Sequence, residues 1–407
     1  MKYIVILGDG MADYPDARLG GRTPLMTAKK PNIDRLAAQG EVGMVRTVPE
    51  SMKPGSDNAN LSVMGYDPLR YYSGRSPLEA VSMGVKLRDG DVTYRCNLVT
   101  LSEEQAQYED RIMADYSSDE ITTEEARLLI ADLAAEFQGD DIDLFAGVSY
   151  RHCLRMNGVV PGKVRLTPPH DISDRRIGDF LPAGEGGDRL LGMMKRSYEL
   201  LKEHPVNRAR RARGLRAANS CWFWGEGTKP SLPSFEHKFG LKAAVISAVD
   251  LIKGIGICAG MRIVEVEGAT GNVNTNFEGK ARAAYEALKT GCDFVYVHME
   301  APDECGHRGE AENKVRAIEL IDRKVVGWLT EKLDADGEPY RMLILPDHAT
   351  PLSLKTHVKD LVPYVLYSSQ MPASGGVDHY DEESGKASGI VVDPGYCLMN
   401  RFLGRNG

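Results

Sequence analysis

The amino-acid sequence predicts an α/β fold: a mostly parallel sheet flanked by helices, with a smaller α/β domain inserted into it. Three observations lead there. Short apolar runs alternate with helical patterns. Aspartates and histidines recur just past several of those runs. A central stretch turns rich in arginine and in Gly/Pro loops. Strands are predicted at 3–7, 92–101, 243–247, 294–297 and 342–345, where Val, Ile and Tyr concentrate and Gly, Asp or Pro flank the run. A helix is predicted to open at Pro31, bury Ile33, Leu36 and Ala37, and stop near Gly40, with proline at its start and glycine past its end. Further helices are predicted over 123–137, 188–203, 277–289 and 310–333. Strands separated by amphipathic helices imply parallel neighbours with helices on both faces of the sheet.

The composition shift sets the domain expectation. Between about Gly90 and Gly225 the pattern becomes irregular, and 207–229 holds Arg208, Arg210, Arg211, Arg213, Arg216 and Lys229 against one acid, Glu226. We therefore expect an outer domain of 1–85 and 235–407 and an inserted domain of 90–230. The length of 407 residues also favours two domains, and 42% hydrophobic residues suffice for their cores. A formal net charge of −8 argues against a nucleic-acid binder, which needs a basic field. No window approaches the roughly 18 apolar residues of a membrane span. The N-terminal apolar run is about five residues and meets an aspartate, whereas a secretory signal needs about 7–15. A cytoplasmic protein is expected. The seven cysteines stand at 96, 153, 221, 258, 292, 305 and 397, an odd number without a C-x-x-C pair, so neither a disulfide framework nor a structural zinc site is indicated.

The candidate chemistry lies past the strands. Asp9 follows the first, in Gly8-Asp9-Gly10. Asp303 and His307 follow the fourth, Asp347 and His348 follow the fifth, and His357 comes soon after. In an open parallel sheet these positions share the carboxyl edge, where active sites form. Three aspartates and three histidines on one rim suit a two-metal site. Singly, each has a plainer reading: an aspartate after a strand is commonly a turn former or helix cap. Cys305 lies in the same loop and is expected to be a packed bystander. Ser56, in Pro54-Gly55-Ser56-Asp57, precedes a short helical pattern. It is either an N-cap or a nucleophile at the positive end of a helix. The basic segment is either a solvated surface run or a phosphate clamp. Arg95, Arg151 and His152 are further anion-binding candidates, with a buried structural role open for His152. Lys253 is either a phosphate contact or a surface helix lysine.

Asp9-Gly10, Pro31-Asn32-Ile33-Asp34-Arg35-Leu36, Gly55-Ser56-Asp57, Asp303…His307, Asp347-His348 and Lys355-Thr356-His357 together resemble the alkaline phosphatase superfamily. Gly65-Tyr66-Asp67-Pro68, Arg95-Cys96-Asn97 and 148–152 resemble its archaeal-type, cofactor-independent (2,3-bisphosphoglycerate-independent) phosphoglycerate mutases. The resemblance covers nearly the whole chain. It implies an alkaline-phosphatase-like sandwich, with a substrate-binding domain inserted after the nucleophile helix. It implies two divalent metal ions, manganese by preference with zinc, cobalt or magnesium as alternatives. Asp9, Ser56, Asp347 and His348 would hold one ion, and Asp303, His307 and His357 the other. Ser56 would be phosphorylated by 3-phosphoglycerate and return the phosphate to give 2-phosphoglycerate. Arg151, His152, Arg210, Arg213 and Lys253 are the substrate-binding candidates. A small phosphorylated substrate is implied as partner, with no nucleic acid or membrane, and a homo-oligomer is compatible.

One departure stands out. A histidine is expected near the end of the nucleophile motif, where this chain has Asn60, which cannot shuttle a proton near neutrality as histidine does. The substrate is therefore less tightly implied than the metals. Alternatives are a phosphotransferase on another alcohol, homoserine being the named case, then a phosphohydrolase, then a metal-binding protein that has lost turnover. No Walker-type loop or protein-kinase motif set is present.

Overall fold

The first apolar run forms the strand Lys2–Gly8, and its position in the fold follows from its composition. Ile4, Val5, Ile6 and Leu7 are all fully buried, so both faces of the strand are covered. In the computed structural model, which describes residues 1–371 and 377–405, this strand lies inside an eight-stranded sheet. The strand order is Arg262–Val264, Ala243–Ile246, Phe294–Met299, Lys2–Gly8, Tyr340–Leu345, Val362–Ser368, Glu41–Val45 and Val391–Val392. All pairs are parallel except the two made by Val362–Ser368, which runs antiparallel to both its neighbours. The sheet is mostly parallel, as the alternation of strand and helix predicts.

Helices cover it. Pro31–Ala38 and Phe277–Lys289 present Ile33, Leu36, Ala281, Ala284 and Leu288 to one large core cluster with the sheet. The helix predicted over 310–333 is interrupted: Ala311–Leu320 passes through a π-helical stretch, Ile321–Gly327, into Trp328–Asp336. The widened turn carries the buried Asp322, whose carboxylate accepts from the Ile33 backbone N–H at 2.7 Å and from Asn32 Nδ2 at 2.9 Å. Lys30 makes no side-chain cap for the helix Pro31–Ala38, so Asp322 supplies that acceptor from a distant helix. The helix Asp250–Cys258 packs closely on its strand, because a Cβ at Gly256 would come within 2.8 Å of Val245 Cγ2.

By contact density the chain divides into Met1–Tyr72 with Ser231–Gly407, and Ser73–Pro230. Residues 73–85 group with the second unit, where the helix Ser76–Ser82 packs on the strands Asp91–Leu101 and Ser220–Thr228. That unit is built on an antiparallel sheet in which Asp91–Leu101 pairs with Met113–Asp115, Arg151–Asn157 and Ser220–Thr228, while Ile142–Phe145 pairs with Arg151–Asn157. The helices Thr123–Phe137 and Gly187–Leu201 pack against it to form a second core. Among the described residues, no helix is long and apolar enough to cross a membrane.

Candidate metal centre

Parallel register brings the predicted acids to one level. Gly8 pairs with Met299 and Leu7 with Leu345, so Asp9, Glu300 and Asp347 leave three adjacent strands side by side. Gly10 makes this approach feasible. It sits at φ +59°, and a Cβ there would lie 2.6 Å from Asp303 Oδ1 and 2.8 Å from Asp303 Cα. Asp303 and His307 lie one helical turn apart on Ala301–Arg308, which starts directly after the Phe294–Met299 strand.

These residues form two adjoining sets. In the outer set, His307 Nε2 lies 3.2 Å from Asp303 Oδ2 and 2.9 Å from His357 Nε2, and His357 Nε2 lies 3.3 Å from Asp303 Oδ1. His307 Nδ1 donates to the Lys355 carbonyl at 3.0 Å, so a proton lost from this ring leaves Nε2, the nitrogen that faces Asp303 and His357. In the deep set, His348 Nε2 lies 3.6 Å from Asp9 Oδ1 and 3.4 Å from Asp347 Oδ2, and all three side chains are fully buried. The His348 and His357 rings stack at 3.9 Å between centroids and join the sets. Asp303, His348 and His357 offer donor atoms within 4.8 Å of one another, as do Asp9, Asp347 and His348, and also Asp9, His298 and Glu300.

The electrostatics fit a cation. Burial, then the charges of Asp347, Glu300 and Asp303, push the Asp9 carboxyl well above its usual range. Burial and Asp303 push Glu300 up to about 8. Asp9 Oδ1 and Glu300 Oε2 are buried with no hydrogen-bond partner. Asp9, Glu300, Asp303 and Asp347 converge here, and mixed oxygen and imidazole donors suit a divalent transition ion. Asp303 differs. Burial pushes it up, but hydrogen bonds from His307 and His357 hold it well below the usual range. The Asp303 hydrogen bond in turn raises His307 to about 9.

Ser56 joins the deep set. It is the first residue of the helix Ser56–Val63, with Gly55 in extended conformation as the N-cap, so Ser56 is not the cap itself. Its Oγ lies 3.1 Å from His348 Nε2. Asn60, one turn on, donates from Nδ2 to the Ser56 carbonyl at 2.8 Å and to Asp347 Oδ2 at 2.7 Å, and its Oδ1 accepts from Tyr296 OH at 2.6 Å. The position that departs from the expected histidine therefore ties the nucleophile helix to Asp347.

Sequence reasoning did not single out His298, Glu300, Lys280, Lys314 or Thr350. His298 ends an apolar run and gives no signal beyond its type. Its Nε2 lies 2.9 Å from Asp9 Oδ2. Lys314 is fully buried and donates to Asp13 Oδ2 at 2.6 Å and to the Thr350 carbonyl at 2.8 Å. Thr350 Oγ1 in turn donates to Asp303 Oδ1. Cys305 is buried and belongs to none of the three donor groups.

The substrate-binding candidates are less alike. Lys253 Nζ pairs with both Glu265 carboxylate oxygens, at 2.9 and 3.0 Å. Arg210 is 1% exposed, and its guanidinium holds Glu125, the Ser118 carbonyl and the Arg216 carbonyl. Arg213 pairs with the other oxygen of Glu125, so both arginines brace the second unit internally. His152 is buried as well. It pairs with Cys96 across strands, on the face opposite Arg95 and Arg151, and burial pushes its imidazole down to about 3. Arg95, Asn97 and Arg151 share the other face. There Arg95 stacks on Trp224 at 4.0 Å, and Arg95 and Arg75 pair with Glu79 at 2.8 and 2.7 Å. Burial, then the neighbouring Arg75 and Arg151, pushes Arg95 down to about 10 despite Glu79.

Comparison with known proteins gives this arrangement its relatives. Residues 37–207 match the 2,3-bisphosphoglycerate-independent phosphoglycerate mutase family. The chain is 50% identical over 407 residues to a Geobacter sulfurreducens protein named "Probable 2,3-bisphosphoglycerate-independent phosphoglycerate mutase", covering 100% of both chains. It is 50% identical over 403 residues to the 2,3-bisphosphoglycerate-independent phosphoglycerate mutase of Methanothrix thermoacetophila, covering 99% of this chain and 100% of the relative. A solved structure of a Pyrococcus horikoshii protein matches with a TM-score of 0.82 at 28% identity, covering 100% of this chain and 98% of that one. The cofactor-independent phosphoglycerate mutase of Thermoplasma acidophilum shares the fold, with a TM-score of 0.67 at 24% identity over 99% of each chain. With half its residues identical across full-length relatives, the chain belongs to the 2,3-bisphosphoglycerate-independent phosphoglycerate mutase family.

Proposed function

We propose that the protein interconverts 3-phosphoglycerate and 2-phosphoglycerate through a phosphoserine at Ser56. The observation that carries this reading is the placement of Ser56 Oγ at the start of a helix, 3.1 Å from His348 in a carboxylate–histidine cluster. The names of the full-length relatives support it. Asp9, Ser56, Asp347 and His348 would hold one divalent cation, and Asp303, His307 and His357 a second, with manganese our assignment from the mixed donors. Bound cations supply Lewis acidity that stabilises charge on a transferring phosphoryl group and favours the serine alkoxide.

The chain's own residues do the rest. The Oγ–phosphorus bond forms as the substrate's O3–phosphorus bond breaks, and the serine proton ends on the freed glycerate oxygen. Glycerate turns while bound, O2 takes the phosphorus back, and Ser56 regains a proton. Asn60 holds the helix start and Asp347 in fixed relation throughout, which preserves the attacking geometry. The helix N-terminus favours the phosphate's negative charge. Within the second unit, the face that carries Arg75, Arg95 and Arg151 suits an anion better than Arg210 and Arg213, which share Glu125. Homoserine would require an acidic partner for its ammonium, and the Glu79 carboxylate is already held by two arginines. The cytoplasm remains our compartment, in keeping with seven free cysteines.

The test is a paired assay with manganese: 3-phosphoglycerate alone, and ATP with homoserine. Formation of 2-phosphoglycerate in the first and nothing in the second is the expected result. Turnover only in the second would replace this function with the kinase alternative.

A further inference from the structure

Asp9 is set by more than its strand. Its backbone N–H donates to the Met299 carbonyl at 2.9 Å, and one carboxylate oxygen, Oδ2, faces His298 Nε2 at 2.9 Å. The other oxygen, Oδ1, is buried and bare. His298 is itself held at its second nitrogen. Ser247, just past the strand Ala243–Ile246, places Oγ 3.2 Å from His298 Nδ1, and that same Oγ accepts from the Val249 N–H at 3.0 Å. With Asp9 ionised as a cation ligand, its Oδ2 can only accept, so the neutral His298 ring carries its proton on Nε2, and its lone pair at Nδ1 takes the Ser247 hydroxyl proton. Lys280 Nζ, fully buried, fixes the same residue's backbone by donating to the His298 carbonyl at 3.0 Å. Glu300 Oε2 also faces Nε2 but stands off at 3.6 Å, so Asp9 is the nearer acceptor.

We propose that His298 is a positioning residue for Asp9: a one-way chain, Val249 N–H to Ser247 to His298 to Asp9, holds Oδ2 and leaves Oδ1 aimed for a cation. The inference rests on the reading that Asp9 is a metal ligand, and it assigns His298 and Ser247 the role of orienting that ligand rather than binding the ion.

The test strips the full-length protein with a chelator and titrates it with Mn2+. Bound metal is counted by elemental analysis, and folding is followed by thermal melting. Wild type is expected to hold two Mn2+ per chain. His298→Leu is expected to bind one of them about 10–100-fold more weakly, the usual cost of losing such an outer partner. His298→Gln, whose amide can still donate to Asp9, should recover most of that loss. Ser247→Ala, which removes only the tautomer control, should weaken the same ion several-fold. Unchanged affinity in a folded His298→Leu protein would overturn the inference. So would a His298→Gln protein as weak as His298→Leu with Ser247→Ala unaffected, because His298 would then be a ligand itself. A wild-type protein that takes up no Mn2+ would remove the metal reading, and this inference with it.

Discussion

The outer and deep halves of the site use the same residue types under opposite conditions. In the outer half Asp303 is surrounded by imidazole donors, and His307 keeps a side chain 38% exposed. Acid and base there stabilise each other's charged forms before any ion arrives. In the deep half Asp9, Asp347 and His348 are fully buried, Asp9 is driven toward its neutral form, and one of its oxygens has no partner. The lesson is that solvent access decides how a ligand cluster is maintained. The outer half can rely on its own pairs. The deep half needs other residues to orient it and a cation to relieve it.

The largest effect that would sharpen this contrast is Ser56→Ala. Turnover should fall by at least about 10³-fold, since the proposed nucleophile is lost, while Mn2+ uptake persists. Retained turnover would break the nucleophile assignment. Next, Asp303→Ala should lose the outer ion while the deep one remains, so elemental analysis should find one equivalent of metal fewer. Unchanged metal content would refute that ligand set.

Lys314→Met probes the brace behind the outer half. Breaking this buried pair strands the Asp13 carboxylate and should cost about 3–5 kcal/mol in denaturant unfolding. Asp13→Asn with Lys314→Met should recover part of it, because no buried charge is then left alone. Equal losses in both proteins would show that packing, not charge, dominates. Asn60→Ala should cost less, about 1–3 kcal/mol for leaving polar partners unmatched, and should weaken Mn2+ binding as Asp347 loosens.

The smallest effect is a proton count. Without a cation the Asp303 hydrogen bond raises His307 to about 9, so at pH 7 that ring holds a proton that metal must displace. Mn2+ binding should release protons, and affinity should rise with pH up to about 9. Calorimetry in buffers of different ionisation enthalpy measures this, and proton uptake on binding would contradict the charge states assigned to the two halves.

Much of the architecture was legible because buried parallel strands read as unbroken apolar runs, as Ile4–Leu7 does, with the ligands directly after them. The candidate ligands could be read because aspartate and histidine there follow the edge of the sheet, whereas their division into two sets came from the family resemblance alone. What could not be read depends on partners far along the chain. His298 reads as the end of an apolar run, and its meaning comes from Asp9, 289 positions away. Arg210 reads as part of a basic surface run until Glu125, 85 positions away, is found beside it. The interruption at Ile321–Gly327 carries Asp322, which serves another helix, a constraint absent from the local pattern. His152 was the recoverable case. Period-two alternation places it with Leu154 and Met156, on the apolar face, and away from Arg151.

The central claim is that phosphate passes through Ser56. Rapid quenching of the manganese-loaded protein with 3-phosphoglycerate, followed by mass spectrometry of its peptides, tests it directly. The account predicts phosphoserine at Ser56, formed without nucleotide and discharged as 2-phosphoglycerate appears. Conversion of 3-phosphoglycerate with Ser56 unmodified at every time point, and undiminished in Ser56→Ala, would contradict it.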